Sequence, residues 1–288
     1  MKKLFYLAIS AFVMASCSDD DPAETTQNLV LSFSNLSASA SDEVYEGWII
    51  VEGSPVSTGT FTVDATGTLS QISFEVDMAM AESATDFVLS IEPMDDSDPA
   101  PSNIKILGGA FSGSSASLDS EHPAALNVSL ESATGTFILA TPTTETTEDE
   151  LSGVWFLDLS TGSPGLGLVL PQLGASWKYE GWAVIDGQPV TSGTFSSADV
   201  VDDSDPFSGS GDGPPFPGED FVANAPTGLS FPTDLSGVTF VISIEPNPDN
   251  DPAPFLFKPL VGSAPANAED HLNYAMGNMA LPTGTVSR

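Results

Sequence analysis

One stretch of this chain is written twice. Tyr45-Glu46-Gly47-Trp48 leads through Ile49 and Val51 to Gly53, Pro55-Val56 and Gly59-Thr60-Phe61. The second writing starts 134 positions downstream, where Tyr179-Glu180-Gly181-Trp182 leads to Ile185, Gly187, Pro189-Val190 and Gly193-Thr194-Phe195. Two runs that agree without a gap over this length must adopt the same local fold, and 288 residues suffice for two units of ordinary domain size. Further on, Phe87-Val88-Leu89-Ser90-Ile91-Glu92-Pro93 matches Phe240-Val241-Ile242-Ser243-Ile244-Glu245-Pro246. Both continue into an acidic, proline-rich loop, with Asp96, Asp98-Pro99 and Pro101 set against Asp249, Asp251-Pro252 and Pro254. The offset has grown to 153, so the second copy carries 19 more residues, in the Gly/Pro/Asp-rich stretch 202–220. Upstream, Leu29, Leu31, Phe33 and Leu36 are paired with Leu166, Leu168, Leu170 and Leu173, an alternation that reads as a half-buried strand in each copy.

The local chemistry is that of β-structure. Segments 45–51 and 56–63 are apolar and β-branched around Glu52-Gly53-Ser54-Pro55, a hairpin turn composition. Segment 87–91 is almost continuously apolar, as in a strand covered on both faces, and Pro93 ends it because proline has no amide to give the ladder. Short helices are expected only at 80–85 and 271–279. The fold class that follows is all-β, with two tandem β-sandwich-like domains arising from an internal duplication. The expected layout is a leader at 1–16, an acidic tether at 17–27, and β domains at 28–145 and 146–288. The Thr/Glu-rich segment 141–150 is read as the linker or, equally, as a long hairpin loop between strands around Phe137-Ile138-Leu139 and Val154-Trp155-Phe156-Leu157.

The order Tyr-x-x-Trp, then Gly-x-Pro-Val-Ser/Thr-x-Gly-Thr-Phe, then a strand ending Ile-Glu-Pro before a proline-rich loop, resembles the extracytoplasmic C-terminal domain of anti-sigma-K factors. The chain carries that order at 45–101 and again at 179–254. The resemblance implies a fold more than an activity, because its motifs are turns and strand ends. Anti-sigma-K factors place a sigma-binding segment and a membrane helix before this domain. Here only a leader and a tether are read ahead of it, so direct contact with a sigma factor is not expected.

Lys2 and Lys3 precede an apolar run at 4–15, too short to span a bilayer, that ends in Met14-Ala15-Ser16-Cys17. This resembles the lipobox of bacterial lipoproteins, so Cys17 is the expected lipidation site and a lipid anchor in the membrane is the expected attachment. Ser18-Asp19-Asp20-Asp21 resembles the acidic tag of surface-displayed lipoproteins. That favours the outer membrane and the cell surface, with the periplasmic face as the alternative. Cys17 is the single cysteine of the chain, so internal disulfides and cysteine-ligated metals are ruled out. The balance of 40 Asp and Glu against 6 Lys and Arg, a formal net charge of −34, repels nucleic acid and anionic membrane surfaces.

Four sets of residues are candidates for a site. Trp48 and Trp182 offer ligand contact through their rings, although a repeated Trp on a strand more often packs a core. Glu92 and Glu245 end matching strands, where accepting loop amides is the commoner role. Asp96, Asp98, Asp249 and Asp251 supply oxygens of the kind calcium takes, without EF-hand spacing, and solvated turns are the commoner use. His122 and His271 stand in no recognisable motif and read as surface residues. No cofactor is expected apart from that calcium. The chain contains no Gly-x-Ser-x-Gly elbow, His-Glu-x-x-His or P-loop motif. The expected function is therefore a non-catalytic envelope sensor or binding module that works with a membrane-spanning signalling protein. A surface carbohydrate-binding or adhesion module is the first alternative, and a carboxylate-dependent hydrolase the second.

Overall fold

The computed structural model describes residues 25–147, 149–249 and 251–288. Cys17, the leader and the acidic run after it lie outside the described residues. No helix among the described residues is long and apolar enough to cross a membrane.

The first unit opens with β1 (Thr26–Ser34), which buries Leu29 and Leu31 and turns Val30 between them outward. β2 (Glu43–Val51) and β3 (Ser54–Phe61) form the first copy of the repeated hairpin. Their turn residues Glu52 and Gly53 both have positive φ, 50° and 77°, the geometry whose twist matches paired strands. β4 (Ser73–Asp77) leads into α1 (Met78–Ser83), whose cap is the Asp77 carboxylate accepting the Met80 amide at 2.9 Å. The helix therefore starts before the expected 80–85, because the aspartate that caps it lies upstream. β5 (Asp86–Pro93), β6 (Lys105–Ala110), β7 (Ser115–Leu118) and β8 (Thr134–Leu139) follow.

The second unit runs through β9 (Gly153–Trp155), β10 (Leu157–Asp158), β11 (Gly165–Leu166) and β12 (Leu168–Val169). It continues with β13 (Trp177–Ile185), β14 (Gln188–Phe195), β15 (Gly218–Asp220) and β16 (Thr239–Pro246). β17 (Phe257–Ser263), β18 (Tyr274–Asn278) and β19 (Thr283–Ser287) complete it. The two hairpins share their turn and the place where their ladder slips. Asp186 and Gly187 repeat the positive-φ turn at 52° and 82°, and the ladder slips at Gly47 in one copy and at Gly181 in the other. Tyr45 donates to the Ser37 carbonyl at 2.9 Å and stacks on Phe61, while Tyr179 donates to the Pro171 carbonyl at 2.7 Å and stacks on Phe195.

A four-stranded sheet in the order β3-β2-β5-β6 faces another in the order β4-β1-β19-β7. Phe61 of the first meets Phe33 and Phe74 of the second at ring distances of 5.8 and 6.0 Å, which makes this half a sandwich. The other half is one nine-stranded sheet, β14-β13-β16-β17-β18-β8-β9-β15 with β12 also on β8. It folds over on itself, so that Phe137 of β8 lies 4.6 Å from Phe240 of β16 and Asp202, just past β14, accepts the amide of Gly218 in β15. One continuous apolar core runs through both halves.

Three findings differ from the sequence expectations. Leu166 is 53% exposed on the small β10–β11 hairpin, and Leu168 stands where Phe33 stands, since the first pairs with Gly135 and the second with Gly284. The role of β1 is split in the second unit between β9 and β12. Segment 271–279 forms β18 rather than a helix, because Tyr274 packs against Phe137 at 5.5 Å and its backbone pairs with β8. Finally, the boundary at 145 divides the sequence but not the sheets. β8, at the end of the first segment, pairs with β9, β12 and β18 of the second, and β19, at the end of the second, pairs with β1 and β7 of the first. Segment 141–150 joins β8 to β9, which pair with each other as a hairpin, and Asp220 pins it by accepting the Thr143 amide at 2.8 Å.

Candidate functional site

Alternation along β2 and β5 sends Tyr45, Ile49, Phe87 and Leu89 into the core and Trp48, Ile50, Asp86, Val88, Ser90 and Glu92 to the opposite face. On that outer face a relay forms. Trp48 donates its indole N–H to Ser90 Oγ at 2.8 Å, and Ser90 in turn donates to Glu92 Oε1. The Glu92 carboxylate also accepts the Ser102 amide at 2.9 and 3.1 Å, which pins the proline-rich loop. The second unit repeats it: Trp182 donates to Ser243 at 2.8 Å, Ser243 donates to Glu245, and Glu245 accepts the Phe255 amide at 2.9 Å. Lys105 donates to the Ser102 carbonyl at 2.6 Å and Lys258 to the Phe255 carbonyl at 2.5 Å. Burial pulls both ammonium groups down from the usual lysine range, and the neighbouring Glu92 and Glu245 pull them back up. Neither lysine was among the sequence candidates, although the two stand at the same offset of 153 as the strands before them.

The outer faces differ in what they leave open. Over Trp48 lies a groove of about 520 Å³ lined by Ile50, Val88, Pro101, Lys105 and His122. His122 is not the surface residue the sequence suggested. Its ring sits against Gly108, where a Cβ would come within 2.4 Å of Nδ1, and its Nε2 lies 3.2 Å from Asp86. Both tryptophans are 2% exposed, so neither presents a free ring face. In the second unit the opening is acidic. A cavity of about 420 Å³ is lined by Lys178, Glu180, Thr194, Glu245, Asp249 and Asp251, with prolines 246, 248 and 252 between them. Burial raises the Glu180 and Glu245 carboxyls to about 7, with Asp249 adding repulsion at each. A third hollow, about 420 Å³, lies where the ends of the two matched strands meet, between Glu92 and Ser102 on one side and Trp177, Asn247 and Pro248 on the other.

The four aspartates considered for calcium are engaged in their own loops. Asp96 accepts the Asp98 amide at 2.8 Å and Asp98 the Ala100 amide at 3.0 Å. Asp249 accepts the Asp251 amide at 2.9 Å and Asp251 the Ala253 amide at 3.0 Å. Among the described residues, the side chains that gather ligand atoms within 4.8 Å of one another are instead Glu150, Asp270 and His271, at the surface. The 19-residue expansion is held by buried acids. Glu219 accepts from Ser208 and from the Phe207 amide, and Asp220 accepts from Thr143 and from the Trp155 indole at 2.8 Å. Burial raises Glu219 to about 7 and Asp202 to about 6. This expansion is anchored structure rather than a free loop.

The described residues form an all-β, sandwich-like fold with an apolar groove on the outer face of its first unit. Residues 21–104, under a third of the chain, match the family described as anti-sigma-K factor rskA, C-terminal, and the match falls on the first unit and its Trp48 face. No curated protein matches the chain, and no solved structure matches it.

Proposed function

We propose that this chain is an exported, lipid-anchored binding or sensor module without catalysis, in which two units of the anti-sigma-K C-terminal type recognise an envelope partner through the groove over Trp48. The observation that carries this reading is that the floor of that groove, Trp48, Ile50 and Val88, lies in the segment that matches the family, while Lys105 and His122 of its wall fall beyond it. Its apolar floor and the Lys105 and His122 side chains at its wall suit an extended protein segment with an apolar residue and an acidic one. A membrane-spanning signalling protein is the partner we favour, because a lipid-anchored chain reaches the cytoplasm only through one.

The anchor belongs to the same proposal. Acylation at Cys17 places the protein in the outer membrane, facing the cell surface. Metabolic labelling with an alkyne fatty acid should mark the wild type and leave Cys17→Ser unlabelled. Equal labelling of both would end the anchor proposal.

A photo-reactive residue at Pro55, on the rim of the groove, is the direct test in intact cells. Capture of one membrane-spanning protein, weakened by Lys105→Ala, supports the reading. A captured polysaccharide would move the assignment to carbohydrate binding, against which the covered tryptophan rings already weigh. Turnover of a substrate by purified protein, abolished by one carboxylate substitution, would replace it with a hydrolase.

A further inference from the structure

The matched relays end differently, and the difference points to a second ligand. In the first unit both Glu92 oxygens lie within hydrogen-bonding distance of the Ser102 amide. In the second, Glu245 keeps Oε1 on Ser243 and Phe255, while Oε2 is buried without any hydrogen-bond partner in a residue that is 1% exposed. Buried polar atoms are almost always partnered, so an orphan on one copy alone calls for an explanation. Glu245 lines the acidic cavity together with Glu180, whose Oε1 accepts from Thr191 at 2.5 Å and which is itself 5% exposed. Glu46, its counterpart, is more open to water and accepts from Ser57. Glu92 is as buried as Glu245, so what the second copy adds is the burial of Glu180 and the unpartnered oxygen, around a hollow of about 420 Å³, the size of a small-ligand pocket.

We infer that this cavity binds an organic cation, an ammonium or guanidinium group on an aliphatic stem, with Glu245 Oε2 and Glu180 as its acceptors. A single divalent metal ion fits less well. Asp249 and Asp251 each spend an oxygen on their own turn, and among the described residues no three carboxylates of this cavity converge within one ion's reach. A larger cation spreads its donors over carboxylates that stand further apart. The ring faces of prolines 246, 248 and 252 supply the wall along which methylenes lie. The field of a chain with net charge −34 gathers such cations near its surface. The chemistry has two sources, a free diamine or the basic side chain of another protein. The site lies on the second unit, away from Trp48, so this inference stands or falls separately from the groove proposal.

The test is calorimetric titration of the folded protein in about 0.15 M salt, where surface attraction is screened. The probes are cadaverine and N-acetyl-arginine amide. Either should bind with one-to-one stoichiometry and weaken at least about tenfold in Glu245→Gln and in Glu180→Gln, while Glu92→Gln binds as wild type. Tighter cadaverine identifies a free diamine as the source, and tighter acetyl-arginine amide identifies a protein side chain. Asp251→Asn, exposed at the mouth of the cavity, should weaken binding about threefold and serves if the buried variants fail to fold. Binding that survives all three cavity variants overturns the inference. So does calcium alone binding at one equivalent with the same losses, which would make the site a metal site.

Discussion

Glu180, Glu219 and Glu245 are carboxyl groups held almost out of water in a protein that has few cations to neutralise them. Burial raises each from its ordinary range to about 7. The folded state therefore holds protons that the unfolded chain releases near pH 4.5. Stability is complete below that unfolded value and is lost as pH rises through about 7. Each carboxyl accounts for on the order of 1 to 3 kcal/mol, since a tenfold change in proton affinity on folding is worth about 1.4 kcal/mol. The melting temperature should accordingly be higher at about pH 5 than at about pH 8, and Glu180→Gln should flatten the profile by keeping the Thr191 bond without the charge. Thermal melts between these pH values decide it, and a flat wild-type profile would show that these acids stay solvated. Glu180 was legible as part of the repeated Tyr-Glu-Gly-Trp motif. Its burial was not, because it is set by residues far away in sequence that share its cavity, Glu245 and Pro248 among them.

At the scale of the element, the repeated hairpin works because glycine sits where the ladder slips. A Cβ on Gly47 would lie 2.6 Å from Thr58 Oγ1 and 2.7 Å from the Phe87 ring. On Gly181 it would lie 2.2 Å from Ser192 Oγ and 2.7 Å from the Phe156 ring. Gly47→Ala and Gly181→Ala should each destabilise by about 1–3 kcal/mol through overpacking, with the larger effect at Gly181 where the approach is closer. Urea midpoints read this directly, and wild-type midpoints for both variants would mean that the neighbouring side chains step aside at no cost. The glycine could be read from the repeat, but its reason could not. The crowding ring comes from β5 in one unit and from the residue after β9 in the other, so identical sequence meets different surroundings. The same limit explains β18, where 271–279 lacks any strong strand pattern and takes its conformation from Phe137 and β8.

At the scale of the molecule, the two segments exchange their last strands. β8 and β19 both begin Thr-Gly-Thr, at residues 134–136 and 283–285, so the sequence marks them as counterparts without saying which sheet each one joins. Strand pairing is set by what fills the slot. Val286 is fully buried between β1 and β7, and Gly284 leaves room for the Phe33 ring, with a would-be Cβ 2.4 Å from it. The counterpart of Val286 in β8 is Phe137, whose ring packs against Phe240 and Tyr274 and would overfill the valine's place. Arg288 then fastens the returning strand by donating to the Ala81, Ala84 and Gly113 carbonyls and lying 4.2 Å over the Phe111 ring. Cutting the chain between 145 and 146 should therefore leave a first fragment without its β19 and a second fragment holding a β19 with no sheet to enter. Each alone should show no cooperative melt, and an equimolar mixture should recover one as a one-to-one complex. A cooperative melt from fragment 25–145 alone, at the temperature of the whole chain, would mean that β8 fits the β19 slot after all and that the two units fold independently. In the expected case the units unfold as one, and a ligand bound at either face stabilises both, since it draws on a single folded state.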